Sequence, residues 1–362
     1  MKIAIDLTSL SYHMTGIERY AACMTEEMLK IDAINEYILI FRNQVYHTFS
    51  SFIDNKRVKA IVLHGNNKVV FLQVVLPIHL YKIKADKFVF FAFTSPVFFR
   101  RKGIINTIHD MGAWDSADAM TVFQKIYWKI TYRASASTSE MIITVSEFSK
   151  GRIHKILRYP KERINVIYSA VYEAVTKDYG YTFRDIQDKY GLPEKYIMTL
   201  STLEPRKNIE LLLKVFSDIQ DKVDYDLVLV GRKGWKMDEI VEKYDKDGRI
   251  HITGFVDDEH VSVIYKNAMC FVFPSLYEGF GLPPVEALAL GTPVIASDAA
   301  SIPEVLMEQA AYFKSNDQNE LTELLLNLAM KLPSMPNKLS DYQIRNYNFD
   351  SSANKILELI GE

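Results

Sequence analysis

The sequence predicts an α/β protein made of two doubly wound domains. Three observations lead there. Apolar strand-like runs alternate with helix-period segments along almost the whole chain, and a second alternating series begins after a break near residue 190. The chain has 362 residues, 48% of them hydrophobic, enough for one large core or, more typically, two.

Residues 2–6 form a short apolar strand, followed by a polar loop from Thr8 to Gly16 and a helix over about 17–29, the first βα unit of such a domain. Residues 37–41, 58–63, 88–93, 104–108 and 141–145 read as further buried strands, with a helical segment near 74–83. Residues 121–136 carry Phe123, Tyr127, Ile130 and Ala134 at helical spacing, and Ser146 stands where it can cap the helix after the 141–145 strand. Residues 163–168 close the first domain. Residues 173–192 lack clear periodicity and contain Gly180 and Gly191, so they read as the connection. The second series has strands at 196–201, 226–231, 249–254, 269–273 and 293–296, with a helical stripe of Ile209, Leu212, Leu213 and Phe216 after the first. Pro333 and Pro336 break its last helix. The expected division is 1–172, 173–345, and a closing helix within 346–362.

Charge is uneven. The net is −2, but residues 1–172 carry 23 Lys and Arg against 14 Asp and Glu, and residues 173–362 carry 20 against 31. A basic half of +9 beside an acidic half of −11 suggests an anionic partner for the first half, such as lipid headgroups, a lipid-linked pyrophosphate or nucleic acid. Cys23 and Cys270 fit no metal spacing or disulfide scaffold, which suggests a reducing compartment. A charge at Asp6 interrupts any signal-peptide core, and no apolar run approaches the ~20 residues of a membrane span. The expectation is a cytoplasmic protein.

The chain is organised around residues 273–298. An apolar run ends at Phe273, passes through a turn containing Gly279 and Gly281, and enters a helix whose start Pro283 marks; Gly291 stops the helix and the next strand follows. A glycine loop that delivers the chain into a helix start presents backbone N–H groups, with the helix dipole behind them, and makes a seat for a phosphate. Glu278 and Glu286 flank that seat with seven residues between them. A phosphate repels carboxylates, so they should face neutral hydroxyls on either side of it. A nucleotide-sugar has that order of parts: ribose, diphosphate, hexose.

Glu278-Gly-Phe-Gly-Leu-Pro283, with Glu286 after it, Pro274-Ser275 before and Gly291-Thr292-Pro293 beyond, resembles the signature of glycosyltransferase family 4, retaining enzymes of the GT-B fold. The resemblance implies two Rossmann-like domains facing across a cleft, with a final helix, here residues 348–360, returning over the first domain. It implies that Glu278 holds the donor hexose, Glu286 the ribose hydroxyls, and the amides of Gly279, Phe280, Gly281 and Leu282 the diphosphate and sugar.

Other strings agree. In Glu204-Pro-Arg206-Lys207-Asn208 two cations stand near a helix start, where they would neutralise a leaving diphosphate; family members carry the same string after the first strand of the donor domain. Gly231-Arg-Lys-Gly234-Trp235 matches a family loop, and Gly254-Phe-Val256-Asp-Asp258 matches the loop whose backbone reads the base. His109 and Asp110 end a buried strand where an open sheet binds ligands, and family members place a histidine there near the reacting carbon. Thr15-Gly16-Ile-Glu18-Arg-Tyr20 matches a loop abutting donor and acceptor, but Glu18 replaces a glycine, and Ser169-Ala170 stands for the usual Asn-Gly. Asp245-Lys-Asp247 lies in a charged run without a strand behind it and reads as a surface turn rather than a metal site.

The reaction expected is transfer of a hexose, of mannose or rhamnose type, to a glycan or lipid-linked glycan in bacterial surface polysaccharide synthesis. Glu278, His109, Arg206 and Lys207 would carry the chemistry, with no metal, no cofactor and no nucleic acid. Peripheral contact with an anionic membrane would run through the basic half. Two alternatives stand beside it: a sugar-nucleotide 2-epimerase, and a noncatalytic nucleotide-sugar-binding module.

Overall fold

A computed structural model describes residues 1–12, 14, 16–116, 120–200, 204–231, 237–245, 247–330 and 336–361, with the backbone alone at 237–240. Thr15, the strand end expected at Ser201, the loop from Arg232 to Trp235, Lys246 and the break at Pro333 lie outside the described residues. The chain forms two compact units: one of Met1–Trp114, Met120–Ala170 and Arg345–Glu362, the other built chiefly on Val171–Ile344.

The first unit holds a parallel sheet of β1 (Lys2–Asp6), β2 (Glu36–Arg42), β3 (Val58–Leu63), β4 (Lys87–Phe90), β5 (Ile104–Thr107), β6 (Met141–Thr144) and β7 (Ile164–Val166), in the order β3-β2-β1-β4-β5-β6-β7. Continuous apolar runs such as Tyr37–Phe41 suit strands covered on both faces, and these residues are buried. One face packs Ile38, Ile40, Phe88 and Phe90 against Leu76, Leu80 and Phe99. The closing helix Phe349–Gly361 lies against helix Gly16–Ile31, and Ser352 Oγ donates to the Tyr168 carbonyl at 3.1 Å.

In the second unit β8 (Tyr196–Leu200), β9 (Asp226–Val230), β10 (Ile250–Gly254), β11 (Cys270–Phe273), β12 (Val294–Ser297) and β13 (Ala311–Phe313) repeat the same plan, all parallel in the order β10-β9-β8-β11-β12-β13. Ile197, Leu227, Leu229, Val272 and Ile295 meet Leu212, Leu213, Phe216, Leu321 and Leu325 in its core.

Two expectations change. The strand expected over 88–93 ends at Phe90, and residues 91–93 bend away from the sheet. Residues 173–192 are not a featureless connection: they hold helices Glu173–Thr176 and Phe183–Tyr190. The second helix is too short for a hydrophobic period to show, but its ends are written in the sequence. Thr182 and Asp185 form a reciprocal capping box, and Gly191, at φ 64°, closes it.

Asp6 ends β1 in a buried position. Burial pushes its carboxyl up to about 6, against the pull of hydrogen bonds from Thr8, whose N–H donates to Oδ1 at 3.1 Å. An acid raised in the folded state binds its proton more tightly there than in the unfolded chain, so its stabilising share is lost as pH rises from about 4 to about 6. Asp6→Asn removes that titration. Urea unfolding should therefore show the variant gaining on wild type over this range, by on the order of 2 kcal/mol, and a gap that does not change with pH would contradict the assignment.

Candidate active site

Open parallel sheets bind ligands beyond the carboxyl ends of their strands, where the strand order reverses direction. In the second unit that point lies between β8 and β11. The segment after β8 forms the 3-10 turn Pro205–Lys207, started by the fixed φ of Pro205, and the segment after β11 runs through 274–281. The two are tied together where the Leu276 N–H donates to the Arg206 carbonyl at 2.8 Å.

This crossing brings three expected residues into one cluster. Lys207 Nζ lies 2.6 Å from Glu278 Oε1, and an Arg206 guanidinium nitrogen lies 3.1 Å from Glu278 Oε2. The Glu278 side chain is 8% exposed and that of Lys207 is 11%, so water screens the pair little. Burial alone would push the Glu278 carboxyl up. Lys207 and then Arg206 overcome that and hold it below its ordinary value. Lys207 also sits 5.5 Å from the centre of the Phe273 ring. Arg206 Nε reaches Glu204 Oε2 at 2.9 Å, so two cations meet two carboxylates here.

Both cations expected to face a diphosphate have carboxylate partners here. They also fix Glu278, and Glu204, 42% exposed in its side chain, is the partner that water can most readily replace. Glu204, in the same string as Arg206, takes a part in the cluster that the string alone does not assign. Ser301 was missed too: its buried hydroxyl donates to the Glu278 carbonyl at 3.0 Å and the Phe280 carbonyl at 3.4 Å, fixing the turn. Its signal was Ser301-Ile-Pro303-Glu304, a helix-start pattern.

Beyond Glu278 the turn ends at Gly281, whose φ of 92° belongs to glycine and whose Cβ, if present, would meet the Phe273 ring at 3.3 Å. Helix Leu282–Ala289 begins Leu-Pro-Pro. Proline has no N–H, so Pro283 and Pro284 supply no donors. Of the helix's first three residues only Leu282 has an N–H, so the amides expected to seat an anion reduce to those of the turn and of Leu282. Glu286, one turn into the helix, is buried, and its Oε2 accepts from the Tyr265 hydroxyl at 3.3 Å. No sequence signal marked Tyr265. Val256 is buried between β10 and helix Asp258–Asn267, which leaves backbone as the part it can offer a ligand.

The first unit has the corresponding reversal between β1 and β4. His109, after β5, places Nε2 2.8 Å from the Phe91 carbonyl and packs edge-on to Tyr20 at 4.9 Å. A carbonyl only accepts, so Nε2 carries the proton and Nδ1 keeps its lone pair. Burial lowers the imidazole's proton affinity, against the Phe91 hydrogen bond and the Asp110 charge, so the ring is neutral at pH 7. Asp110 turns back to accept the Gly112 N–H at 2.7 Å. Gly16 opens helix Gly16–Ile31 with nothing within 4 Å of where a Cβ would lie. Glu18, in the first turn, is buried and accepts from Ser11 Oγ at 3.0 Å.

Among the described residues no group of three or more His, Cys, Asp or Glu is placed to hold a metal ion. Asp245 caps the Arg249 N–H at 3.0 Å.

A buried carboxylate clamped by two cations beside a glycine turn, at the reversal point of a parallel sheet, is the candidate site. Residues 183–346 match the model of the family described as Glycosyl transferases group 1. The chain is 27% identical over 343 residues to the O-antigen chain mannosyltransferase B of Escherichia coli, spanning 90% of each. It is 30% identical over 251 residues to the O-antigen chain mannosyltransferase RfbU of Salmonella typhimurium, which is 68% of this chain and 65% of that one. Among solved structures, sucrose-phosphate synthase from Thermosynechococcus elongatus superposes with a TM-score of 0.75 at 18% identity, covering 99% of this chain and 98% of that one. Anabaena HepE in complex with UDP-glucose gives 0.75 at 16%, covering 100% and 99%. The match to the group 1 glycosyl transferases covers residues 183–346, and the chain's two parallel-sheet α/β domains have the GT-B fold of those structures.

Proposed function

We propose that this glycosyltransferase moves a hexose of the mannose or rhamnose type from a nucleotide-diphosphate sugar to a growing, lipid-linked surface glycan, with retention at the anomeric carbon. The Glu278 cluster at the β8–β11 reversal carries the reading. The sugar and setting are supported by relatives whose names describe O-antigen mannosyltransferases. Transferases among the relatives give the epimerase alternative no support.

The incoming diphosphate takes the place of Glu204 on Arg206 and lies along the amides of Gly279 to Leu282. Glu278, already oriented by Lys207, accepts hydroxyls of the hexose, and Glu286 accepts those of the ribose. As the anomeric C–O bond breaks, charge grows on the leaving phosphate, and Arg206 with Lys207 and the loop amides stabilises it. The acceptor hydroxyl enters on the same face and gives its proton to the departing phosphate oxygen. Positioning and electrostatics do the work, and the neutral His109 ring keeps a lone pair on Nδ1 that can accept from a hydroxyl. Because the two side-chain cations and the amides supply the positive charge, the reaction is expected to need no divalent ion or other cofactor. No described helix is long and apolar enough to cross a membrane, and we place the enzyme in the cytoplasm with peripheral contact at the inner membrane face.

The test is NMR of the glycosidic linkage formed. The anomeric configuration of the donor should be preserved, at a rate unchanged by EDTA; an inverted product would overturn the retaining mechanism.

A further inference from the structure

The first unit exposes apolar side chains in a pattern the active site does not use. On helix Val122–Thr138, Val122 is 72% exposed and Phe123 75%, with Ile126 and Ile130 also exposed. Val122, Ile126 and Ile130 are four residues apart and form one row along the helix. Lys125, Lys129 and Arg133 form a second row about 60° round the helix, and the helix has no acidic residue. A second exposed row, Val70, Val74, Ile78 and Tyr81, runs along residues 68–82, which also contain no acid.

The two elements that carry these rows pack against each other. Gln73 Nε2 donates to the Tyr127 hydroxyl at 3.2 Å, and Phe93 stacks on Trp128 with ring centres 5.8 Å apart. The Tyr81 hydroxyl donates to the carbonyl of Phe98 at 2.9 Å, and Phe98 is 74% exposed. Exposed Lys82, Lys84, Arg100, Arg101 and Lys102 lie in the adjoining segments. From Lys68 to Arg133 the chain has ten Lys and Arg against four Asp.

We propose that this face, built from helix Val122–Thr138 and residues 68–102, is the surface by which the enzyme lies on an anionic lipid bilayer. Apolar side chains enter the headgroup boundary while the neighbouring cations meet lipid phosphates, the arrangement of an interfacial amphipathic helix. A row of cations beside an apolar row, on a surface short of acids, is complementary to a bilayer carrying negative charge. The inference deepens the proposed membrane contact by assigning its residues, and it is read without donor or acceptor.

The test is sedimentation of the full chain with vesicles of phosphatidylglycerol and phosphatidylethanolamine, and with vesicles of phosphatidylcholine alone. Wild type should bind the anionic vesicles and be left in solution by the zwitterionic ones. The triple variant Phe123→Ser, Ile126→Ser, Ile130→Ser, and separately Lys125→Gln, Lys129→Gln, Arg133→Gln, should each weaken anionic binding by about tenfold or more with an unchanged thermal midpoint. Absence of wild-type binding, or either variant binding anionic vesicles as tightly as wild type, would overturn the proposal. So would a wild-type dimer, in the absence of lipid, that the first variant converts to monomer, since the face would then join two copies. If a variant loses its thermal midpoint, Phe98→Ser, at a loop position with no helix to disturb, is read in its place.

Discussion

Glu278→Gln is expected to lower kcat by two to three orders of magnitude, the range seen when one preorganised polar group at a reacting centre is removed. The substitution is nearly isosteric. Its Oε1 still accepts from Lys207, so the turn that Ser301 fixes and the crossing of the two loops stay in place, and the variant should fold, with a lower unfolding midpoint because the two cations lose their counter-charge. What is lost is the charge that Lys207 and Arg206 hold in its ionised form. A loss in kcat shows that the carboxylate grips the sugar more strongly as the bond breaks. A rise in KM alone would mean it binds donor and transition state equally. Arg206→Ala should produce a loss of similar size, because the leaving diphosphate then faces loop amides and Lys207 without the guanidinium. Near wild-type turnover in both variants would remove the cluster from the mechanism.

The second large effect is on stability. Lys207→Met strands the buried Glu278 carboxylate with Arg206 as its remaining partner and should cost about 3 kcal/mol, toward the lower end for breaking a buried pair. Its pH dependence gives it a signature. In wild type the Glu278 carboxyl titrates below its unfolded value, so its stabilising share is complete above about 4.5 and is lost as pH falls through the folded value. Without Lys207 the carboxyl titrates higher, and protonation relieves the stranded charge. The gap between variant and wild type, from urea midpoints, should therefore narrow from pH 7 toward pH 4. A gap that does not change would assign the cost to lost contact with the Phe273 ring. Adding Glu278→Gln to Lys207→Met should recover part of the loss, because neighbours in one ionic network are not additive.

The sequence showed the sheets plainly. Strands buried on both faces, such as residues 37–41 and 227–230, are unbroken apolar runs, and that signal does not depend on distant residues. The helix Phe183–Tyr190 was hidden because eight residues hold barely two turns of hydrophobic repeat, although its caps were visible. The site was legible as separate strings. Glu278 and the Arg206-Lys207 pair were each found, but they are 72 and 71 residues apart. Their meeting is decided by β8 pairing directly with β11, which no local pattern encodes. The effect of Leu-Pro-Pro on the anion seat was readable all along, since it follows from the missing N–H of proline. Tyr265 and Ser301 act through contacts set by the tertiary fold, 21 residues away in sequence at Glu286 and 23 away at Glu278.

The central claim is that a nucleotide-diphosphate sugar seats where Arg206, Lys207 and Glu278 meet the turn from Gly279 to Leu282. Thermal unfolding of wild type and Arg206→Ala against UDP-, GDP- and dTDP-sugars tests it most directly. One donor, at 100 times its Kd, should add about 2.7 kcal/mol to wild type and far less to the variant at the same concentration. No shift with any donor, or an equal shift in both proteins, would contradict the claim.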